Sequence, residues 1–331
     1  MENIELNKKL SLFFILSIFL SLSVSSESKT AKAKTWFGDP NLQGIWTNAS
    51  LTTLERPSHL RSWEVSEEVA LEESLRAEKV SEAYDNPLKK GEKIKASRDP
   101  GGYNAAWMDG GSKFFKVKDK YRTSVIGYPK NGKLPWDADK SRAFFQKLRP
   151  RGMKRTDHPE LRGVGERCIV GFGSSGGPPM MNVLYNNHYQ IVQSPGYVMI
   201  MAEMIHDTRI IRLNGQHLPK NMKPWLGDSI GHWENNTLVV ETTNFHPQHS
   251  FRAGLRHRFA VTENAKITEK FTRISKDEII YQFFVDDKDV YSDIWAGEMV
   301  LTSDSDRIYE YACHEGNYSM ENILAGARAQ D

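Results

Sequence analysis

The 331-residue sequence holds only two cysteines, too few for a disulfide-dense scaffold or a thiolate metal site. It has almost no net charge. Its 44 basic and 42 acidic side chains leave +2, which argues against nucleic acid as a partner. Past its first stretch there is no apolar run long enough for a membrane helix, which takes about 20 residues. His-Glu-x-x-His is absent, and no Gly-Lys-Ser/Thr follows the Gly-rich loop at residue 171, so a zinc hydrolase or phosphate loop has no motif to stand on. No repeat of about 20–50 residues is evident, which sets solenoids and propellers aside. What remains is 39% hydrophobic and 26% charged, an ordinary globular composition with length enough for a real core.

The start of the chain looks like an address. Lys8 and Lys9 precede the apolar run Leu10–Val24, and the small residues Ser25 and Ser26 follow. A basic flank, a short apolar stretch and a small-residue exit predict a signal peptide over residues 1–26 and a periplasmic or secreted protein. The alternative is an uncleaved anchor, although the run is short for a span. No stable membrane insertion is expected after cleavage. Export also changes the reading of Cys168 and Cys313. An oxidising compartment favours bridging them, and a bridge closing so long a loop is worth about 4–5 kcal/mol in the chain-entropy model. The alternative is two buried free thiols.

Residues 27–160 read as a helical and irregular segment packing on a β-rich domain over 161–331. A helix is predicted after Ser66, with Val69, Leu71, Leu75 and Val80 on a rough 3.6 period. Asn86 to Tyr103 is turn-rich and basic, and Tyr121–Tyr128 reads as a strand. Asp137–Leu148 reads as a short helix ended by Pro150. From 161 to 331 short β-rich runs succeed one another. They are Arg167–Phe172, His188–Gln193, Tyr197–Ile205, Thr208–Leu213, Gly231–Trp233, Thr237–Thr243, Ile267–Ile274, Glu278–Val285, Ile294–Leu301 and Arg307–His314. Turns such as Ser194-Pro195-Gly196 separate them, and no long helix intervenes. The fold class is therefore mainly β: an antiparallel meander that closes into a barrel or a curled sheet to protect its edges. Tyr197–Ile205 is apolar on both faces, which predicts cover on both sides.

Three constellations carry potential chemistry. Gly173-Ser174-Ser175-Gly176-Gly177 matches G-x-S-x-G, but Pro178-Pro179 stands where a nucleophile elbow needs a helix. The bland reading of this loop is small residues that admit close approach of another segment. The stretch 197–212 places Glu203, His206, Asp207 and Arg209 among apolar residues. An enclosed Glu beside His or Arg can exchange protons. Glu203 and His206 are three apart, so they meet only if the strand ends or bulges near Met204. Otherwise Glu203 pairs with an arginine across the sheet. On a regular strand 307–314, Glu310 and His314 share the face opposite Tyr309, Tyr311 and Cys313. Metal binding is not supported, since His246 and His249 lack adjacent carboxylates. The tryptophans, Trp46 and Trp295 among them, serve either as a stacking surface or as core.

The strings NLQGIWTNASLTTLERP, GERCIVGFGSSGGPP, NNHYQIVQSP, EMIHDTRIIRL and YACHEGNY resemble a large family of secreted bacterial proteins, over nearly the whole stretch from Asn41 to Arg328. That resemblance implies export and supplies no mechanism. Gly-x-Trp followed by a β-meander is also similar to lipocalin-type barrels. The resulting expectation is an exported lipocalin-like barrel holding a small apolar or aromatic molecule, without a cofactor. Acid–base catalysis of lyase or isomerase type would have Glu203 and His314 exchange protons, with His206 assisting. Arg209, Asp207, Glu310 and Tyr318 would contact substrate. The alternatives are a non-catalytic periplasmic carrier and a serine hydrolase using Ser175.

Overall fold

The computed structural model describes residues 34–85, 109–148, 152–254 and 257–329. The expected signal peptide over residues 1–26 and the turn-rich stretch from Asn86 to Tyr103 lie outside them. Fifteen strands and three α-helices are defined there. The N-terminal elements are β1 (Gly44–Thr47), β2 (Glu64–Val65), α1 (Glu67–Asp85), β3 (Lys116–Val117), β4 (Lys120–Arg122), β5 (Ile126–Tyr128) and α2 (Ala138–Lys147). Then come β6 (His188–Ser194), β7 (Tyr197–Ala202), β8 (Thr208–Leu213), β9 (Asp228–Glu234) and β10 (Thr237–Thr243). A small hairpin, β11 (Phe251–Ala253) and β12 (Arg258–Ala260), precedes β13 (Lys266–Arg273), β14 (Glu278–Asp286) and β15 (Trp295–Asp304). Helix α3 (Ser319–Arg328) ends the described chain.

Nine strands close into a barrel in the order β1-β6-β7-β8-β9-β10-β13-β14-β15, with β15 returning to β1. A ring of purely antiparallel pairs needs an even number of strands, because each step reverses direction. Nine strands therefore demand a parallel pair, and it is β8–β9. The connection from Asn214 to Gly227 supplies the crossover that a parallel pair requires. The other barrel pairs are antiparallel. Ser194-Pro195-Gly196-Tyr197 sets the β6–β7 register, with proline second and Gly196 at φ 82°, as a type II turn asks.

The inward positions are those the alternation predicts. Ile279, Tyr281, Phe283 and Val285 of β14 are all fully buried. The outer face of β14 and β15 is also covered, because β4 brings Arg122 onto it. Arg122 Nε reaches Glu298 Oε1 at 2.6 Å, and its guanidinium lies over the Trp63 ring. Most inward positions are apolar, with Arg209 and Glu269 as a buried charged pair among them. Among the described residues no helix is long and apolar enough to cross a membrane.

Four expectations need correction. Arg167–Phe172 is a run of turns, not a strand, in keeping with Gly163, Gly165, Gly171 and Gly173 around it. Arg307–His314 is not a strand either. Asp304 lies opposite Ile45 at the end of β1, and beyond it there is no partner to pair with. The outer face of β7 is only partly covered: Met199 and Met201 are half-buried and Tyr197 is 50% exposed. Finally, residue 160 does not bound the barrel. β1 comes from the N-terminal segment and closes the ring, and residues 32–331 form one unit.

Candidate functional site

Among the described residues, closely packed buried side chains occupy the barrel interior. Residues 171–183 enter one end of the barrel, and Met180 and Met181 are completely buried in its main core. The backbone N–H of Met180 donates to the Tyr281 hydroxyl at 2.9 Å, and that hydroxyl donates to Glu269 at 2.7 Å. Glu269 is held by Arg209 through two bonds of 2.7 and 2.9 Å, with both side chains buried. Trp46, Tyr189 and Trp295 fill further space as core residues. Arg209 is thus committed to Glu269 inside the barrel.

The Gly-rich loop is shaped by what it packs against. A Cβ on Gly171 would fall 2.1 Å from Ser175 Oγ, and one on Gly176 would fall 2.9 Å from Asp207. Asp207, just past the β7 turn, accepts the Gly171 N–H at 2.6 Å. Burial pushes its carboxyl up to about 7, against the pull of that N–H and of Arg252. On the other side Arg252 donates to Ser174 Oγ at 2.9 Å and to Pro178 O. Ser175 is 1% exposed and its hydroxyl has no partner among the described residues. It sits in a turn with no helix behind it, so the nucleophile-elbow geometry is missing.

Where β6 begins and β7 ends, at the same end of the strands as Asp207, lies a cluster centred on His188, which the sequence pattern does not single out. His188 Nδ1 is 2.9 Å from Glu203 Oε2, and Nε2 is 3.1 Å from Asp304 Oδ2. Asp109 stands 3.9 Å from Nδ1. The bond from Glu203 pushes the imidazole up to about 9 despite burial, and Asp304 adds to the rise. Burial alone would raise the Glu203 carboxyl, but its hydrogen bond and charge contact with His188 hold it below the usual range. The imidazole is therefore charged at neutral pH and uses both nitrogens. It ties β6 to the end of β15 across β1, at the seam where the barrel closes. Glu203 does find a partner across the sheet, but a histidine rather than an arginine.

The other anticipated residues disperse. The chain breaks after Ala202 into a short turn, Met204–His206, where Ile205 and His206 take positive φ. That break turns His206 into solvent. His314, Glu310 and Tyr318 are also exposed. Glu203, His206 and His314 therefore do not converge on one enclosed pocket. Cys168 and Cys313 do form a disulfide. His246 stacks on Trp225 with ring centroids 3.8 Å apart, while His249 faces the Trp225 carbonyl, so the two imidazoles do not converge. Among the described residues no group of three or more His, Cys, Asp or Glu is placed to hold a metal ion.

A groove of about 810 Å³ opens beside the disulfide at the barrel rim. One wall is Gly165, Glu166 and Phe172. The other is Glu310 to Cys313, Asn317, Ser319, Met320 and Ile323. Tyr311 and Cys313 rest on a small apolar cluster of Val183, Met204 and Ile205. Phe172 and Ile323 are 36% and 38% exposed, which leaves apolar surface facing the groove. Glu310 is the anticipated contact residue that lines it. Phe172, Met320 and Ile323 were missed because neither a turn-rich loop nor a terminal helix advertises a wall in sequence.

No family model matches this chain, and neither does any curated protein or solved structure.

Proposed function

We propose that the protein is an exported small-molecule-binding protein that takes a largely apolar or aromatic ligand in the rim groove, outside a plugged barrel, without turning it over. The observation that carries this reading is the groove itself. Its volume lies in the range of drug-sized sites, and its lining sets the apolar side chains of Phe172, Met320 and Ile323 among at least as much polar surface. The filled lumen argues against the interior as the ligand site. The catalytic reading is less well supported, since Glu203 is engaged by His188 and both His206 and His314 face solvent. Export is supported by the basic and apolar start of the chain and is compatible with the disulfide.

The test is a fluorescence titration with Nile red, a neutral aromatic dye, against the wild type and Phe172→Ala. Removing the ring should weaken binding about tenfold, the loss of one well-buried aromatic contact. Unchanged affinity in that variant, or no binding by the wild type, would remove the groove as the site.

A further inference from the structure

The two walls of the groove come from parts of the chain 145 positions apart, and the Cys168–Cys313 disulfide joins them. Among the described residues, no helix or strand packs extensively against Ser319–Arg328 of the second wall. The backbone N–H groups of Cys313, Glu315, Asn317, Tyr318 and Asn322 bond to carbonyls within the same segment. Tyr309 and Tyr318 are 74% and 69% exposed. In α3 the buried residue is Leu324. Asn317 Nδ2 does cross between the walls, but its partner is Cys168 Sγ at 3.4 Å, the disulfide again. One buried leucine offsets little of the conformational entropy lost on ordering a segment of this length. Tyr311 and Cys313 also pack on Val183, Met204 and Ile205.

We infer that the Cys168–Cys313 disulfide gates the groove: the oxidised protein holds both walls together and binds ligand, and reduction frees the C-terminal wall and the ligand with it. This rests on the groove being the ligand site. The reductant is a dithiol. Its thiolate attacks Cys313 Sγ, which borders the groove, whereas Cys168 is only 7% exposed. The S–S bond breaks and Cys168 leaves as a thiolate that takes up a proton. The second thiol of the reductant then attacks the mixed disulfide and releases Cys313 as a thiol. Two electrons and two protons pass to the protein, and the reductant ends as its own disulfide. Linkage makes the effect reciprocal. A ligand that prefers the oxidised form tenfold makes the disulfide about 30 mV harder to reduce.

The experiment measures Nile red affinity for the full chain oxidised, reduced with dithiothreitol, and as the Cys168→Ser/Cys313→Ser variant. Oxidised Phe172→Ala and far-UV circular dichroism accompany it. Reduction and the double substitution should each weaken the dye at least tenfold, with the β signal of the barrel unchanged. Equal affinity before and after reduction overturns the gate and leaves the groove reading intact. Loss of the β signal on reduction also overturns it, because the bond would then hold the whole fold. If the oxidised protein does not bind the dye, or Phe172→Ala binds like the wild type, the groove reading falls and the gate falls with it.

Discussion

The His188 clamp makes a quantitative prediction about alkaline pH. The folded imidazole is raised from 6.5 to about 9 by Glu203 and Asp304. A group with a raised folded value adds stability that is complete below pH 6.5 and disappears as pH climbs through about 9. Each tenfold in proton affinity is worth about 1.4 kcal/mol, which bounds the contribution at about 3 kcal/mol. His188 is 22% exposed and Asp304 27%, so solvent screening brings the expected value to about 2 kcal/mol. Urea unfolding of the wild type and of His188→Gln at pH 6.5 and 9.5 measures it, because other titrations cancel in the difference. The advantage of the wild type should shrink by about 2 kcal/mol across that interval. A pH-independent difference, or an imidazole proton resonance titrating near 6.5, would refute the clamp.

Other substitutions probe the plug and the wall. Glu269→Gln should cost about 3–5 kcal/mol in urea unfolding, since it strands a buried guanidinium, and Arg209→Met/Glu269→Leu should recover much of that. Asp207 carries the opposite lesson from a salt-bridged acid. Its folded value is raised from 3.8 to about 7, so the ionised form works against folding. Asp207→Asn should therefore gain up to about 4 kcal/mol on the wild type at pH 8 and little at pH 4, by chemical denaturation. Gly176→Ala should lose about 1–3 kcal/mol to a clash with Asp207, whereas Gly326→Ala, with open space around it, should be neutral or slightly stabilising.

The barrel was legible where alternation had a single cause. Thr237–Thr243 and Glu278–Asp286 carry inward apolar residues at every second position, and their limits match the sequence reading to within a residue. The sheet-closing strand β1 was readable as a strand from Gly44 and Trp46, but not as part of the barrel. Closure is a long-range pairing between residues 47 and 302, and local pattern carries no trace of it. The site was less legible because its errors began in one place. Extending strand periodicity through Arg307–His314 put Glu310 and His314 on a sheet face that does not exist. His188 looked like one scattered histidine because its partners, Glu203 and Asp304, lie 15 and 116 positions away. The glycines of residues 171–177 pointed correctly to close approach, and the approaching group is Asp207.

The central claim is that ligand binds at the rim and not in the lumen. Methyl resonances of isoleucine and methionine during titration with indole test it most directly. The rim account predicts shifts at Met320 and Ile323, with Met299 and Ile267 inside the barrel unmoved. Shifts confined to Met299 and Ile267 would contradict it.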